Sequence, residues 1–383
     1  MADTPGFWNW KIILIGAQML FVAFGAMVLM PLLTGLDPSV ALFTAGLGTL
    51  LFQWITGRSV PVFLASSFVF VAPISHGIEQ WGIPATMGAL FCTAIVYLVL
   101  AALVKWRGPG LLHRLMPPVV TGPIIMVIGL SLAPTAVNFA MGLSGDGGDR
   151  LFPYSDALLV SMIALLTTLL VATLARGLFR LLPILCGVFI GYLVALALGM
   201  VDFALVHQAG WLEMPAFVAP TFHWPAILFM IPVALAPAIE HVGDVLAISN
   251  VTGQDFIKKP GLHRTLAGDG IASMAAALVG GPPNTTYSEV TGAVMLTRVF
   301  NPVVMTWTAL FAIALAFIGK FGLLLQSVPT PVMGGILILM FGSIASVGMN
   351  TLIKARVDLH AQRNLVIVSV TLIFGIGGMV VGN

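Results

Sequence analysis

The sequence predicts an all-α polytopic membrane protein. Two features of its composition and one of its pattern lead there. Charged residues make up 8% of the 383 residues and hydrophobic ones 59%, with a mean hydropathy of +1.07. A protein that faces water carries about a quarter charged residues, so lipid must solvate this chain. Glycine and proline, 41 and 24 residues, are high for helices in water and ordinary for membrane helices, which use them for close packing and breaks. The pattern is a succession of apolar runs, many near the roughly 20 residues that a crossing helix needs.

The first run, 12–33, follows a start with no basic stretch leading to a small-residue cleavage site, so it reads as an uncleaved insertion signal. Further crossing helices are expected at 39–56, 84–104, 117–133, 156–175, 181–200, 225–249, 265–280, 302–320, 329–350 and 363–381. Two more apolar stretches, 60–75 and 285–298, are short and interrupted. Counting them as crossings gives about thirteen segments.

The basic residues require that count. With a cytoplasmic N-terminus and strict alternation, Lys11, Arg58, Lys105, Arg107, Arg114, Arg176, Arg180, Lys258, Lys259, Arg264, Arg298, Lys354, Arg356 and Arg363 share one side. Only Arg150 and Lys320 fall on the other, a strong positive-inside bias. Asp37, Glu79, Asp146, Asp149, Asp156, Asp202 and Glu213 gather outside. There, 134–155 is expected to be a loop, and 201–224 a second connection with Trp211 and Trp224 as interface anchors.

The third crossing opens on Val60-Pro61-Val62-Phe63-Leu64 and passes through Ala65-Ser66-Ser67-Phe68. Its counterpart in the second half opens on Gly280-Gly281-Pro282-Pro283 and passes through Asn284-Thr285-Thr286-Tyr287 into Ser288-Glu289. Each is an extended, proline-marked piece, then a polar cluster, then half a span of helix. Paired interrupted segments in two halves point to a transporter's substrate site. Seven crossings per half would give inverted repeats, 1–200 with segments one to seven and 201–383 with segments eight to thirteen. The second repeat would then be one crossing short after Val380-Val381-Gly382-Asn383.

A charge at the bilayer centre costs at least ~2.5–3.5 kcal/mol, so acids inside these runs need a reason. Glu240 and Asp244 are four apart and share a helix face, which must look into protein or a water-filled cavity. Glu289 sits in the first turn of a half-helix, where the dipole favours an anion, and the half-helix starting near Ser67 offers backbone N–H groups at the same depth. Two carboxylates accept from N–H donors, and free backbone N–H groups donate to carbonyl oxygens. A small planar solute with alternating N–H and C=O groups fits, with Phe68 or Tyr287 stacked on its face. A carboxyl removed from water favours its neutral form and can carry a proton, which makes proton symport a natural mechanism. Asp244 is expected to tune the site, Asp269 to tune it or only to pack, and His241, on a different face from Glu240, to be structural.

Other classes fit less well. The second histidine of a metalloprotease helix is absent after Glu240-His241, and no nucleophile–base pair or phosphate-binding loop is present, so neither an enzyme nor an ATP-driven pump is expected. Cys92 and Cys186 lie in apolar runs without metal or redox spacing, and no cofactor or metal is called for. A net charge of +2 gives no reason to expect a nucleic-acid partner. A channel also uses broken helices, but buried acids opposite two half-helices favour a closed binding site.

The stretches Phe24–Pro31, Pro61–Pro73, Ala238–Gly243, Pro260–Arg264 and Pro283–Arg298, in this order along the chain, resemble the nucleobase–ascorbate transporter family, and within it the bacterial uracil–proton symporters. The resemblance implies fourteen transmembrane segments in two inverted repeats, a core and a gate domain, and a substrate site between the third, eighth and tenth segments. It also implies a homodimer in the cell membrane, driven by protons or by sodium. By position, Glu240 and Glu289 match the substrate-binding glutamates, Phe68 and Ser288 supply backbone contacts, and Tyr287 lines the pocket. Some positions depart from the family. Val290 replaces an asparagine, Ser288 stands where uracil carriers have glycine, and Met19 follows Gln18 where histidine is frequent. Asp244 is often histidine in uracil carriers and aspartate in the xanthine and urate branch, so the identity of the base stays open.

Overall fold

A computed structural model of the chain describes residues 8–110 and 117–377, with the backbone alone for Ala26, Leu178, Leu205 and Ser288. Arg114 and the expected end of the last segment lie outside the described residues. Two compact units form. One combines Met1–Pro109 with Phe203–Ser327, the other Gly110–Asp202 with Val328–Asn383.

In the first unit, α1 (Trp10–Thr34) and α2 (Pro38–Ile55) are joined through Gly35, whose left-handed φ of 75° ends α1, and Asp37, whose carboxylate accepts from the Ser39 N–H to cap α2. A three-residue strand, β1 (Leu64–Ser66), and one 3-10 turn (Phe68–Phe70) lead into α3 (Val71–Arg107). This long helix is broken at Gly82 (φ 79°, ψ 168°), a conformation that favours glycine. The expected third crossing is therefore β1, the 3-10 turn and the first piece of α3, and the expected fourth is the second piece of α3.

The second unit holds α4 (Pro118–Ser131), α5 (Ala133–Ala140), α6 (Tyr154–Leu174) and α7 (Pro183–Ala197). Here the expected loop 134–155 is corrected: its first part is the helix α5, with Pro134 in the first turn, where the missing N–H costs no bond. The remainder is an ordered loop, fastened by a bridge between Leu143 and Arg150.

The chain returns to the first unit through α8 (Ala204–Gln208) and an extended strap. Along the strap, Glu213 N–H donates to Phe317 O (3.0 Å), Ala216 N–H to Asp37 Oδ2 (3.2 Å), Val218 N–H to Val279 O (3.1 Å) and Thr221 N–H to Pro84 O (2.8 Å). Then come α9 (Trp224–Met230), a 3-10 turn (Ile231–Ala234), α10 (Leu235–Thr252) and α11 (Leu262–Leu278). After them follow β2 (Asn284–Thr286), α12 (Ser288–Thr297), α13 (Val303–Ala316) and α14 (Gly319–Gln326). The second unit closes with α15 (Thr330–Lys354) and α16 (Gln362–Ile376).

Among the described residues, seven helices are long and apolar enough to cross a membrane, or eight if α13 and α14, bent by 85°, form one span. Small residues let helices meet closely, the usual source of packing where lipid is as apolar as the protein. In the first unit α2 packs on α11 and α13, and α3 on α11. A Cβ at Gly46 would lie 2.5 Å from the Ala309 carbonyl oxygen, and one at Gly270 would lie 2.8 Å from Tyr97 Cβ. In the second unit α15 is the central helix, packed on α4, α5 and α6.

Candidate functional site

The pairing of β1 with β2 decides where the candidate residues lie. The strands are antiparallel, with Leu64 opposite Thr286, Ala65 opposite Thr285 and Ser66 opposite Asn284. Ser67 N–H donates to Pro283 O (2.9 Å) and Tyr287 N–H to Phe63 O (3.3 Å). All six strand residues are buried. Each strand hands over at once to a helix, so the N-termini of the Phe68 turn and of α12 lie at opposite ends of the three-residue ribbon. The first N–H groups of a helix have no intrahelical partner and point at whatever occupies the crossing.

A two-stranded ribbon in a membrane must also satisfy its outer edges. One hydroxyl does this on each side. Thr49 of α2 accepts from Leu64 N–H (2.9 Å) and donates to Leu64 O (3.3 Å). Ser273 of α11 accepts from Asn284 N–H (3.1 Å) and donates to Asn284 O (2.8 Å). The same device grips the first residue of each strand, as repeated halves would require.

The acids surround β2. Successive residues of a strand face opposite ways, and the two threonines follow this. Thr285 donates its hydroxyl hydrogen bond to Asp269 Oδ2 on α11 (3.2 Å), and Thr286 donates to Asp244 Oδ2 on α10 (2.9 Å). His241 Nδ1 lies 2.8 Å from Asp269 Oδ2 and 3.5 Å from the Thr286 hydroxyl. His241 and Asp269 are fully buried and Asp244 is 6% exposed. A proton on His241 Nδ1 makes this contact a hydrogen bond donated to Asp269.

Glu240 stands one residue before this network and is half-buried, yet its Oε2 is buried without a partner. Glu289 occupies the first turn of α12 and is exposed. The helices that carry the two glutamates, α10 and α12, pack on each other. Phe68 is half-exposed at the start of its turn, and Ser288 begins α12. Tyr287 is 5% exposed and its hydroxyl donates to Ser66 O (2.8 Å), so it ties α12 back to β1 rather than offering an open ring face. A hollow of about 430 Å3 near the end of α1, lined by Pro31, Asp37, Ile83, Val218, Gly280 and Gln326 among others, contains none of the candidate residues.

Sequence reading gave His241 a structural role on a different face from Glu240 and named no partner for it; that partner is Asp269. The same reading gave no part to Thr285 and Thr286 individually. Their alternation in an extended run flanked by two membrane acids is the signal that could have found them.

The sequence profile Xan_ur_permease, described as a permease family, matches residues 10–383. The chain belongs to this permease family. A probable uracil permease of Haemophilus influenzae is 59% identical over 367 residues, which cover 96% of this chain and 87% of that protein. A uracil permease of Bacillus caldolyticus is 47% identical over 384 residues, covering 99% and 87%. Among solved structures, the transmembrane domain of a cyanobacterial bicarbonate transporter, BicA, superposes with a TM-score of 0.72 over 98% of both chains at 14% identity. That likeness concerns the fold alone. The permease is a multi-pass membrane protein with the all-α, inverted-repeat fold that its sequence predicts, and its relatives are named for transport rather than for a chemical reaction.

Proposed function

We propose that the chain is a secondary active transporter that imports uracil, or a related oxo-nucleobase, together with a proton. The observations that support this reading are the antiparallel pairing of β1 and β2, each followed at once by a helix start, and in the same unit Glu240, a carboxylate with a buried, unpartnered oxygen. Uracil presents two N–H groups and two carbonyls in one plane. Glu240 and Glu289 accept from the N–H groups, the backbone N–H groups at Phe68 and Ser288 donate to the carbonyls, and Phe68 covers the ring. Glu240 carries the coupling proton, while Asp244 and Asp269 tune the site. Tyr287 supports the pocket from behind. The names of the relatives, at 59% and 47% identity, favour uracil.

Alternating access then works around a midplane site between the third, eighth and tenth segments, with the strand-bearing unit as the core and the other as the gate. The repeats are 1–200 and 201–383. The protein acts in the cell membrane with its N-terminus in the cytoplasm and pairs as a homodimer.

A second base deserves a test because Asp244 occupies the position where the xanthine and urate branch carries aspartate. Radiolabelled uracil uptake is measured with competing xanthine, with and without a protonophore. Saturable uptake that the protonophore abolishes and excess xanthine leaves intact supports the proposal. Block by xanthine moves the substrate to the purine branch, uptake that follows sodium replaces the proton, and non-saturating flux indicates a channel.

A further inference from the structure

We propose that Asp244 and Asp269 act on the substrate site through β2, with Thr286 and Thr285 as the positioning residues that connect them to it. This rests on the site reading above and adds to it how two acids that need not touch the substrate control where it binds.

The argument begins with what holds β2. Its first residue is gripped along the chain direction by Ser273, and the Asn284 side chain donates to Thr44 O (2.9 Å). Past its last residue, Tyr287 is tied to β1 through both its N–H and its hydroxyl. These bonds fix where the strand starts and ends. Rotation of so short a strand about its own axis is resisted by what its side chains hold on either face. Those holds are the Thr285–Asp269 bond on one face and the Thr286–Asp244 bond on the other.

Both acceptors are rigidly placed. Asp269 is fully buried in α11 and receives a second donor, His241 Nδ1, on the same oxygen. Asp244 belongs to α10, the helix that also carries Glu240. A twist of β2 would therefore change the aim of the α12 N-terminus, where Ser288 and Glu289 follow Tyr287 directly, relative to Glu240. Hydrogen bonds weaken steeply with misalignment, so a loosened strand costs affinity without removing any group that contacts the substrate. His241, through Asp269, belongs to the same support.

The pattern of coupling tests this. Uracil binding to the purified full chain is measured by equilibrium binding for Thr285→Val, Thr286→Val, Asp244→Ala, Asp269→Ala and all four Thr–Asp doubles. Each single change is expected to weaken binding about tenfold or more, the scale of a hydrogen bond to a charged group. The matched doubles, Thr286→Val with Asp244→Ala and Thr285→Val with Asp269→Ala, should be no more than about twofold worse than their more damaging single, because each pair loses one shared bond. Of the crossed doubles, Thr285→Val with Asp244→Ala should multiply, whereas Thr286→Val with Asp269→Ala shares His241 as a common neighbour and should fall between the two limits. Thr286→Ser and Thr285→Ser, which keep the hydroxyl, should restore most of the affinity, a rescue that a loss of packing alone would not allow.

Matched doubles that multiply like Thr285→Val with Asp244→Ala overturn the proposal, as do valine variants that bind uracil normally. Aspartate variants that bind normally but no longer accumulate uracil also overturn it, by making the acids proton carriers. If the valine variants fail to fold, Thr→Ala variants give the same cycle with less change in packing. Glu240→Gln and Glu289→Gln are run alongside. Normal binding by those two, with matched coupling still visible in thermal stability, would sink the site reading and leave the strand support standing.

Discussion

Glu240→Gln is the most direct test of the site. In the protein as it stands, Glu240 Oε2 is buried and accepts nothing. A buried acceptor without a partner costs about 1–3 kcal/mol, more when charged, and a ligand N–H that reaches it removes that cost. A hydrogen bond to a charged acceptor contributes about 1.5–3 kcal/mol, which is ~10- to 150-fold in Kd. Glutamine keeps one carbonyl oxygen, so some of this survives. It also gains two N–H groups, one of which would face the ligand's own N–H. The expected result is a Kd for uracil raised ~10-fold or more, with a further loss in Glu240→Ala. The assay is calorimetric titration of purified protein, with thermal unfolding to show that the variant is folded. A folded Glu240→Gln protein whose Kd stays within about twofold of the parent would refute the reasoning, because the unpartnered oxygen would then have no part in binding.

Three further outcomes follow from other parts of the molecule. Ser273→Ala removes the only hydroxyl gripping Asn284, orphaning a buried N–H and a buried C=O at about 1–3 kcal/mol each; Thr49→Ala should do the same at Leu64, and both should lower the midpoint of thermal unfolding, whereas Thr49→Ser should hold near the parent. Gly88→Ala would drive its new methyl group into the Thr221 carbonyl of the strap, an overpacking of about 1–3 kcal/mol that should lower the melting temperature and expose residues 213–222 to protease. In the loop after α5, the Ser144 hydroxyl and then the Gly148 N–H hold the Asp146 carboxyl below its ordinary range. A depressed folded value means that the contribution is present above the unfolded value and lost as pH falls through the folded one, so the Asp146 NMR resonance should titrate below the ordinary value of about 3.9 and move up in Ser144→Ala.

The membrane character, the order of the segments and the two broken crossings are legible in the sequence because each depends on patterns local to one stretch of chain. Val60 to Phe68 and Gly280 to Tyr287 carry prolines, β-branched residues and polar side chains that a lipid-facing helix would not tolerate. Glu240 and Glu289 could be singled out because an acid in an apolar run is costly wherever it lies. What the sequence hides is pairing between distant segments. His241 is next to Glu240 and on helical periodicity belongs to another face, yet that face is where α11 brings Asp269. Tyr287 reads as a free aromatic until its hydroxyl is seen to end on Ser66, 221 residues away. Residues 134–140 read as loop because they are short and polar for their surroundings, and become helix once packed on α15.

The clamps on the strands also explain why the site should be selective. Non-helical backbone is tolerated at membrane depth only if its polar groups are satisfied or line a cavity. In this protein the strands pair with each other, Thr49 and Ser273 take up the outward groups of Leu64 and Asn284, and the Tyr287, Asn284 and two aspartate side chains hold further bonds around them. In the proposed site the groups that meet a ligand are the first N–H groups of two helices and the carboxylates of Glu240 and Glu289. Donors come from the backbone, fixed in direction by two rigid helices, and acceptors from side chains on α10 and α12. A ligand has to offer carbonyls to one set and N–H groups to the other, in one plane and at fixed spacing. An inorganic anion could satisfy the donors but would face two carboxylates, and a metal cation could satisfy the carboxylates but would face two helix N-termini. A neutral ring that carries both kinds of group satisfies both sets together, and this division of donors and acceptors, more than any single residue, is how the proposed site would select a nucleobase.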